Sequence, residues 1–337
     1  MHLRLAFIGF RHGHILSLYE LAQRRDDVEV VAACEEDAET RAGLADAGVT
    51  VTHDDYGRML DEAACDVVAC GDYFGIRGQR LIQALDRGLH VIGDKPLCTS
   101  LEELERIEAL AAAADRRVGC MLDLGNHRAF VTLGEMLGRG AVGEVHAVCF
   151  LGQHPLLYGQ RPMWYFEPGK HGGTINDIAI HAVDLIPAVT GRRIVEVTAA
   201  RSWNAKVSKH PHFHDGGALM LRLDNDGVVI GDVSYLASDK HGYGMAPYWR
   251  FTISGADGVI ETSCNADSVT LWRHDTEEVI QQPVGEGRQG GYFDDFLADL
   301  TGAPNHRGLH TARILESSRI TLLAQHAADR GEFPVTV

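Results

Sequence analysis

Three things are scarce in this chain, and each scarcity narrows what it does. No apolar run approaches the roughly eighteen residues a bilayer span needs, so no spanning helix is expected. Positive charge is in deficit, with 31 Lys and Arg against 47 Asp and Glu and a formal charge of -16. A field of that sign repels phosphate backbones and anionic lipid, so neither nucleic acid nor a membrane surface is an expected partner. Paired cysteines are absent. The seven cysteines are scattered, odd in number and contain no C-x-x-C, which suits reduced thiols in the cytoplasm. Internal repeats, low-complexity segments and a Pro- or Ser-rich linker are also missing. The short apolar opening Leu3–Phe10, interrupted by Arg4, reads as a buried strand rather than a signal peptide.

What is present is the composition of a globular protein, 45% apolar and 23% charged over 337 residues. That length exceeds one ordinary core and predicts two domains. Across the first 120 or so residues, short apolar runs (Leu3–Ile8, Val28–Cys34, Asp66–Cys70, Leu89–Ile92, Arg117–Met121) alternate with amphipathic stretches (Ile15–Arg25, Ala38–Ala47, Arg77–Arg87, Leu101–Ala114). Strand–helix alternation with continuously apolar strands implies a parallel, doubly wound sheet covered on both faces. The predicted boundaries are 1–121 for this α/β Rossmann-type domain and 122–337 for the second. In the second, a strand at Glu144–Leu151 precedes a helix at Thr174–Val189. A strand series then runs from Val195 to about Gln282, with a turn at Asn225-Asp226-Gly227. Helices at Tyr292–Leu300 and Thr311–Arg330 close the chain, the last able to pack back on the first domain. This is an α+β domain with a large, mainly antiparallel open sheet, and a cleft is expected between the two halves.

The chemistry concentrates in four places. The first strand ends in Gly9-Phe10-Arg11-His12-Gly13-His14, a strand–turn–helix that aims backbone N–H groups at a phosphate. It is an imperfect G-x-G-x-x-G, with Arg11 and His14 at the second and third glycine positions. The second strand ends at Glu35, where an acid accepts ribose hydroxyls; with Glu36 and Asp37 beside it, NAD is expected in preference to NADP. A later strand runs into Asp94-Lys95-Pro96, which sets a lysine at the carboxyl edge of the sheet. Finally, Asp177 and His181 stand four residues apart on one helix face behind Gly172-Gly173, amid Ile178, Ala179, Ile180 and Val183. A histidine buried near a carboxylate is tuned for proton transfer near neutral pH, although such pairs also simply satisfy one another in a core.

This constellation resembles the glucose–fructose oxidoreductase, inositol dehydrogenase and rhizopine-catabolism family (Gfo/Idh/MocA) along nearly the whole chain. Gly140-x-x-Gly143-Glu144 and Gly255-x-x-Gly258 add to the likeness. The resemblance implies Lys95, Asp177 and His181 as catalytic residues. It implies an NAD site from Gly9, Phe10, Arg11, His12, Gly13, His14, Glu35, Asp72, Asp94, Lys95 and Pro96. The stretch Asp72–Arg77 stands where the family has Thr-Pro-Asn-x-x-His. A sugar, inositol or related polyol is the implied substrate, met by the Gln153–Lys170 loop through His154, Tyr158, Arg161 and Trp164, together with Asn176. A homodimer or homotetramer is implied, joined through the exposed sheet face.

His210-Pro211-His212-Phe213-His214-Asp215 lies outside the family pattern. In an extended chain His210, His212 and His214 project to one side, a candidate metal face, although no metal is the preferred reading. Rival functions are retained NAD used for elimination, epimerisation or glycoside cleavage, a non-catalytic NAD sensor, and a metal-dependent lyase or hydrolase built on that histidine run.

Overall fold

Leu3–Ile8, an almost wholly buried run, forms β1, an interior strand of a five-stranded parallel sheet. In the computed structural model, which describes residues 2–337, the chain continues through α1 (His14–Gln23), β2 (Val28–Cys34), α2 (Ala38–Gly43) and α3 (Tyr56–Glu62). Then come β3 (Val67–Cys70), α4 (Phe74–Leu85), β4 (His90–Gly93), α5 (Leu101–Ala114) and β5 (Val118–Cys120). The sheet order is β2-β1-β3-β4-β5, all parallel, so the carboxyl ends of β1, β3 and β4 lie side by side. Continuous apolar strands are what a sheet covered on both faces requires. Cys34 and Cys70 behave as small hydrophobes there, their thiols pushed up to about 12 chiefly by burial.

Local chemistry sets the helix ends. Ser100 Oγ accepts from the Glu103 N–H at 3.2 Å, capping α5 as its Ser-x-x-Glu sequence predicts, and Asp115 in the left-handed region ends it. The helix expected over Ala38–Ala47 stops at Gly43, because residues 44–49 close into tight turns, among them Val49 N–H to Leu44 O at 3.0 Å. The seven-residue α3, capped by Asp55 on the Arg58 N–H at 2.7 Å, is too short to show a periodic pattern and was not expected.

The chain divides into two units. One takes everything up to Met121 with Gly169–Gly172 and Tyr292–Leu315; the other takes Leu122–Pro168, Gly173–Gly291 and Glu316–Val337. The second holds α6 (Arg128–Gly138), β6 (Val145–Leu151), α7 (Ile180–Thr190), β7 (Ile194–Trp203), β8 (Gly216–Leu223) and β9 (Val228–Asp232). It also holds β10 (Arg250–Gly255), β11 (Gly258–Thr262), β12 (Ser268–Arg273) and β13 (Val279–Pro283). In the last part of the chain α8 (Gly291–Thr301) falls almost wholly in the first unit, α9 (Thr311–Arg330) begins there and continues in the second, and β14 (Val335–Thr336) lies in the second. The nine-stranded sheet runs β13-β12-β11-β10-β6-β9-β8-β7-β14, antiparallel except for β6 beside β9. Its fold is therefore the α/β plus α+β arrangement read from the sequence. Among the described residues no helix is long and apolar enough to cross a membrane.

Candidate active site

In the first unit the turn after β1 is shaped by Gly9, whose φ of 74° suits glycine and whose missing side chain makes room for Asp72. Around Gly13 a side chain would meet nothing within 4 Å, so space remains at the start of α1. The turn's polar groups are already partly engaged. Phe10 N–H donates to Glu35 Oε2 at 2.6 Å, and His12 N–H donates to Gly71 O at 3.1 Å. Glu35 is 0% exposed, and its other oxygen accepts from Asp37 N–H at 2.8 Å. Burial raises the Glu35 carboxyl above its usual range, and Asp72 likewise.

Arg11 supplies the compensating charge. Its guanidinium lies 3.7 Å from Glu35, 3.9 Å from Asp37 and 3.5 Å from Asp72, over the Tyr73 ring. A nucleotide-binding turn with a glycine cradle and open space at the helix start fits a dinucleotide. Arg11 and the backbone-engaged Glu35 are the features such a ligand would meet.

Asp94 is the hub of this edge. It follows β4 and is fully buried. One oxygen accepts from His12 Nδ1–H and from Arg77 Nη2 at 3.2 Å; the other accepts from Lys95 N–H at 2.7 Å and faces His14 Nδ1 at 3.5 Å. Burial alone would raise this carboxyl, but His12 and Arg77 outweigh it and hold it well below the usual range. Burial lowers the His12 imidazole to about 3 against the upward pull of Asp94, to which its Nδ1–H donates. Arg77 is buried too, and spends its remaining donors on Asp72 O at 2.7 Å, Lys95 O at 2.5 Å and Pro96 O at 3.2 Å. The Lys95 backbone is thereby held from both sides, with its ammonium 5.9 Å from the Phe74 ring centre.

In the second unit the helix expected over Thr174–Val189 begins as a π-helical turn, Ile175–Ala179, before α7. Such turns recur at functional sites. Gly173, at φ 98°, leaves room for the Gln325 side chain, whose Oε1 accepts from Ile175 N–H at 2.9 Å. Asp177 lies on the π turn, 2% exposed, and accepts a hydrogen bond from the Tyr235 hydroxyl. Arg161 stacks over Tyr235 at 4.8 Å and Tyr165 at 5.1 Å, donating to Leu156 O, Pro155 O and the Tyr243 hydroxyl. Burial, then the Asp177 charge, lifts the Tyr235 phenol well above its usual value. His154 donates from Nδ1 to Gly152 O at 2.7 Å and faces the edges of Tyr235, Tyr243 and Trp249. His181 is half-buried, with its ring 5.6 Å from Trp249.

The expected substrate residues take different partners, with Trp164 and Arg161 both stacked on Tyr165. His154 and Arg161 gather around Tyr235 and Asp177. Tyr158 instead pairs with His210 Nε2 at 3.0 Å, Trp164 stacks on Tyr165 at 4.2 Å, and Asn176 bonds Thr321 in the core at 3.3 Å. Arg77, Tyr235 and Trp249 were not read from the sequence. The first appeared there only as the end of the Asp72–Arg77 stretch, at the start of α4.

The extended reading of His210, His212 and His214 is corrected. Asp215, 0% exposed, accepts from the backbone N–H of Ala205, Lys206 and Val207, and Asn204 Nδ2 donates to the carbonyls of Val207, His210 and Phe213. The segment is wound into turns. His212 is exposed, while His214 Nδ1 bonds Ser202 at 2.8 Å.

Comparison with known proteins places both units. Residues 3–121 match the model of an oxidoreductase family with an NAD-binding Rossmann fold, and residues 130–261 match a GFO/IDH/MocA C-terminal domain. A 1-carboxy-3-chloro-3,4-dihydroxycyclohexa-1,5-diene dehydrogenase of Comamonas testosteroni is 25% identical over 239 residues, covering 69% of this chain and 57% of that protein. The match thus spans little more than half of that relative. An oxidoreductase structure from Erwinia carotovora superposes with a TM-score of 0.85 at 26% identity, covering 97% and 98% of the two chains. An inositol dehydrogenase homologue of Azotobacter vinelandii, complexed with NAD+, gives 0.81 at 18% identity, covering 99% and 97%.

Proposed function

The chain belongs to the GFO/IDH/MocA oxidoreductase family, and we propose that it oxidises a secondary alcohol of a sugar, inositol or related polyol with NAD. The observation that carries this reading is the nucleotide-binding unit itself, whose sheet edge bears a lysine with its backbone clamped by Arg77 and Asp94. The substrate class is supported by the inositol dehydrogenase homologue among the structural relatives and by the dihydroxy-ring dehydrogenase among the sequence relatives. Aromatic faces beside Arg161, His154 and Asp177 suit a polyol's mixed surface.

In this proposal His181 accepts the hydroxyl proton, Lys95 stabilises charge developing on the oxygen, and Asp177, oriented by Tyr235, holds a neighbouring hydroxyl. Gly9–His14 and Glu35 would hold NAD, whose nicotinamide supplies the hydride chemistry when bound. The carboxylates of Glu35, Asp37 and Asp72 around Arg11 disfavour the extra phosphate of NADP.

The test is NADH formation on a panel of inositols, pentoses and hexoses by wild type, Lys95→Met and His181→Ala. Each variant is expected to lose kcat by about a hundredfold or more. Unchanged turnover in either one removes that residue from the chemistry. Product formed without NADH accumulation would move the reading to retained-cofactor elimination or epimerisation.

A further inference from the structure

Two histidines flank Gly13 at the entry to α1, and their rings sit 4.3 Å apart, centre to centre. Asp94 reaches them from the end of β4, because β1 and β4 deliver their turns to the same edge of the parallel sheet. One potential ligand atom from each of His12, His14 and Asp94 lies within 4.8 Å of the others. We propose that His12, His14 and Asp94 form a binding site for a divalent transition-metal ion of the zinc class.

The geometry supports this quantitatively. With metal–ligand bonds of about 2.1 Å, neighbouring donors of a tetrahedral site stand about 3.4 Å apart. His14 Nδ1 and Asp94 Oδ1 are 3.5 Å apart already. His12 Nδ1 and Asp94 Oδ2 are closer, at hydrogen-bonding range, so an ion replaces the proton between them and that pair opens by about 1 Å. The His12 proton moves from Nδ1 to Nε2, leaving the ring neutral and Nδ1 with its lone pair toward the ion. His14 is more than half exposed, at 57%, and is free to swing the remaining distance.

The donor set is two imidazoles and one carboxylate, which suits zinc or iron(II) and leaves coordination positions open for oxygen ligands. A support shell is present. Lys95 N–H at 2.7 Å and Arg77 Nη2 at 3.2 Å fix the Asp94 carboxylate, as outer partners commonly do for metal ligands. Arg77 also opposes the incoming charge, so the site is a moderate binder rather than a tight structural centre. His12 and His14 also lie in the turn proposed to hold NAD, so the ion and the dinucleotide would share that turn. Close by, the carboxylates of Glu35, Asp37 and Asp72 face the guanidinium groups of Arg11 and Arg80.

The experiment is a cobalt(II) titration of untagged, EDTA-stripped full-length protein, following the visible ligand-field bands, with zinc as competitor in calorimetry. The expected result is one ion per chain, displaced by zinc. Affinity should fall about tenfold or more in His14→Ala. His12→Gln should weaken binding as well, while His212→Ala, in the other histidine-rich segment, should leave it unchanged. Circular dichroism establishes that each variant is folded, and His14→Gln replaces His14→Ala if that variant is not.

Absence of the bands overturns the inference. So does full affinity in the His12 and His14 variants, or loss confined to His212→Ala. NAD binding is measured separately in EDTA. Nucleotide binding without a cobalt signal overturns this inference alone, and a cobalt signal without nucleotide binding overturns only the proposed function.

Discussion

Two buried aspartates sit in the two units, and they are held in opposite ways. Asp94 is locked by charge, between the Arg77 guanidinium and the His12 ring, in a network that also secures the carbonyls of Asp72, Lys95 and Pro96. Asp177 takes its hydrogen bond from a neutral phenol, Tyr235, and sits on a π-helical turn with an arginine stacked over that same phenol. A carboxylate locked by a buried cation serves rigidity, because removing one partner strands the other. One that takes a bond from a neutral hydroxyl is positioned without that rigid charge lock. The difference is that between a strut and a reading head.

Arg77→Leu breaks the comparison most severely. It leaves Asp94 without its cation and three carbonyls without their donor, so a loss of about 3–5 kcal/mol is expected in urea unfolding at neutral pH. Pairing it with Asp94→Asn should recover part of that loss, because the stranded charge is gone. If Arg77→Leu costs no more than an ordinary surface substitution, Asp94 is not locked in the way described.

Tyr235→Phe addresses the other side and should do less to the fold, about 1–2 kcal/mol, the cost of one buried hydrogen bond. Its effect belongs in turnover. Loss of the hydroxyl removes one bond that orients Asp177, so kcat should fall roughly tenfold or more while NAD affinity is unchanged, read by steady-state kinetics and nucleotide calorimetry. A stability loss as large as that of Arg77→Leu would make the two carboxylates alike.

The contrast also shows what the sequence could and could not say. The parallel sheet was legible because Leu3–Ile8, Val28–Cys34 and Val67–Cys70 are apolar but for Arg4 and Glu29 near the starts of the first two, and a doubly covered sheet favours such runs. Asp94, Lys95, Asp177 and His181 were legible as residue types in suggestive places. Their partners were not. Arg77 lies 17 residues from Asp94 and Tyr235 lies 58 from Asp177, and no local period links such pairs. The π turn was invisible for a related reason, since its extra residue per turn is imposed by packing, with Gln325 of α9 bonding its first N–H. The histidine run misled because Asp215 and Asn204, which wind it into turns, act through the backbone and leave no pattern in the side chains.

The smallest expected effect comes from an exposed reference for the buried lock. Arg4 grips Asp66 in a two-pronged pair, Nε at 3.1 Å and Nη2 at 2.8 Å, and its N–H adds a third bond at 2.9 Å. The Arg4 side chain draws the Asp66 carboxyl below its usual range. A depressed carboxyl contributes stability that is present above its unfolded value, about 3.9, and is lost as pH falls through the lower folded value. Asp66→Asn should therefore flatten the acid limb of the stability–pH curve, costing a little stability near neutral pH and converging with the wild type in acid. Because both side chains are over a third exposed, at 43% and 36%, solvent screens the pair and added salt should erase most of the difference. The Arg77–Asp94 pair, sealed from water, should keep its contribution in the same salt series. Equal salt sensitivity of the two would mean that burial does not set the strength of the lock.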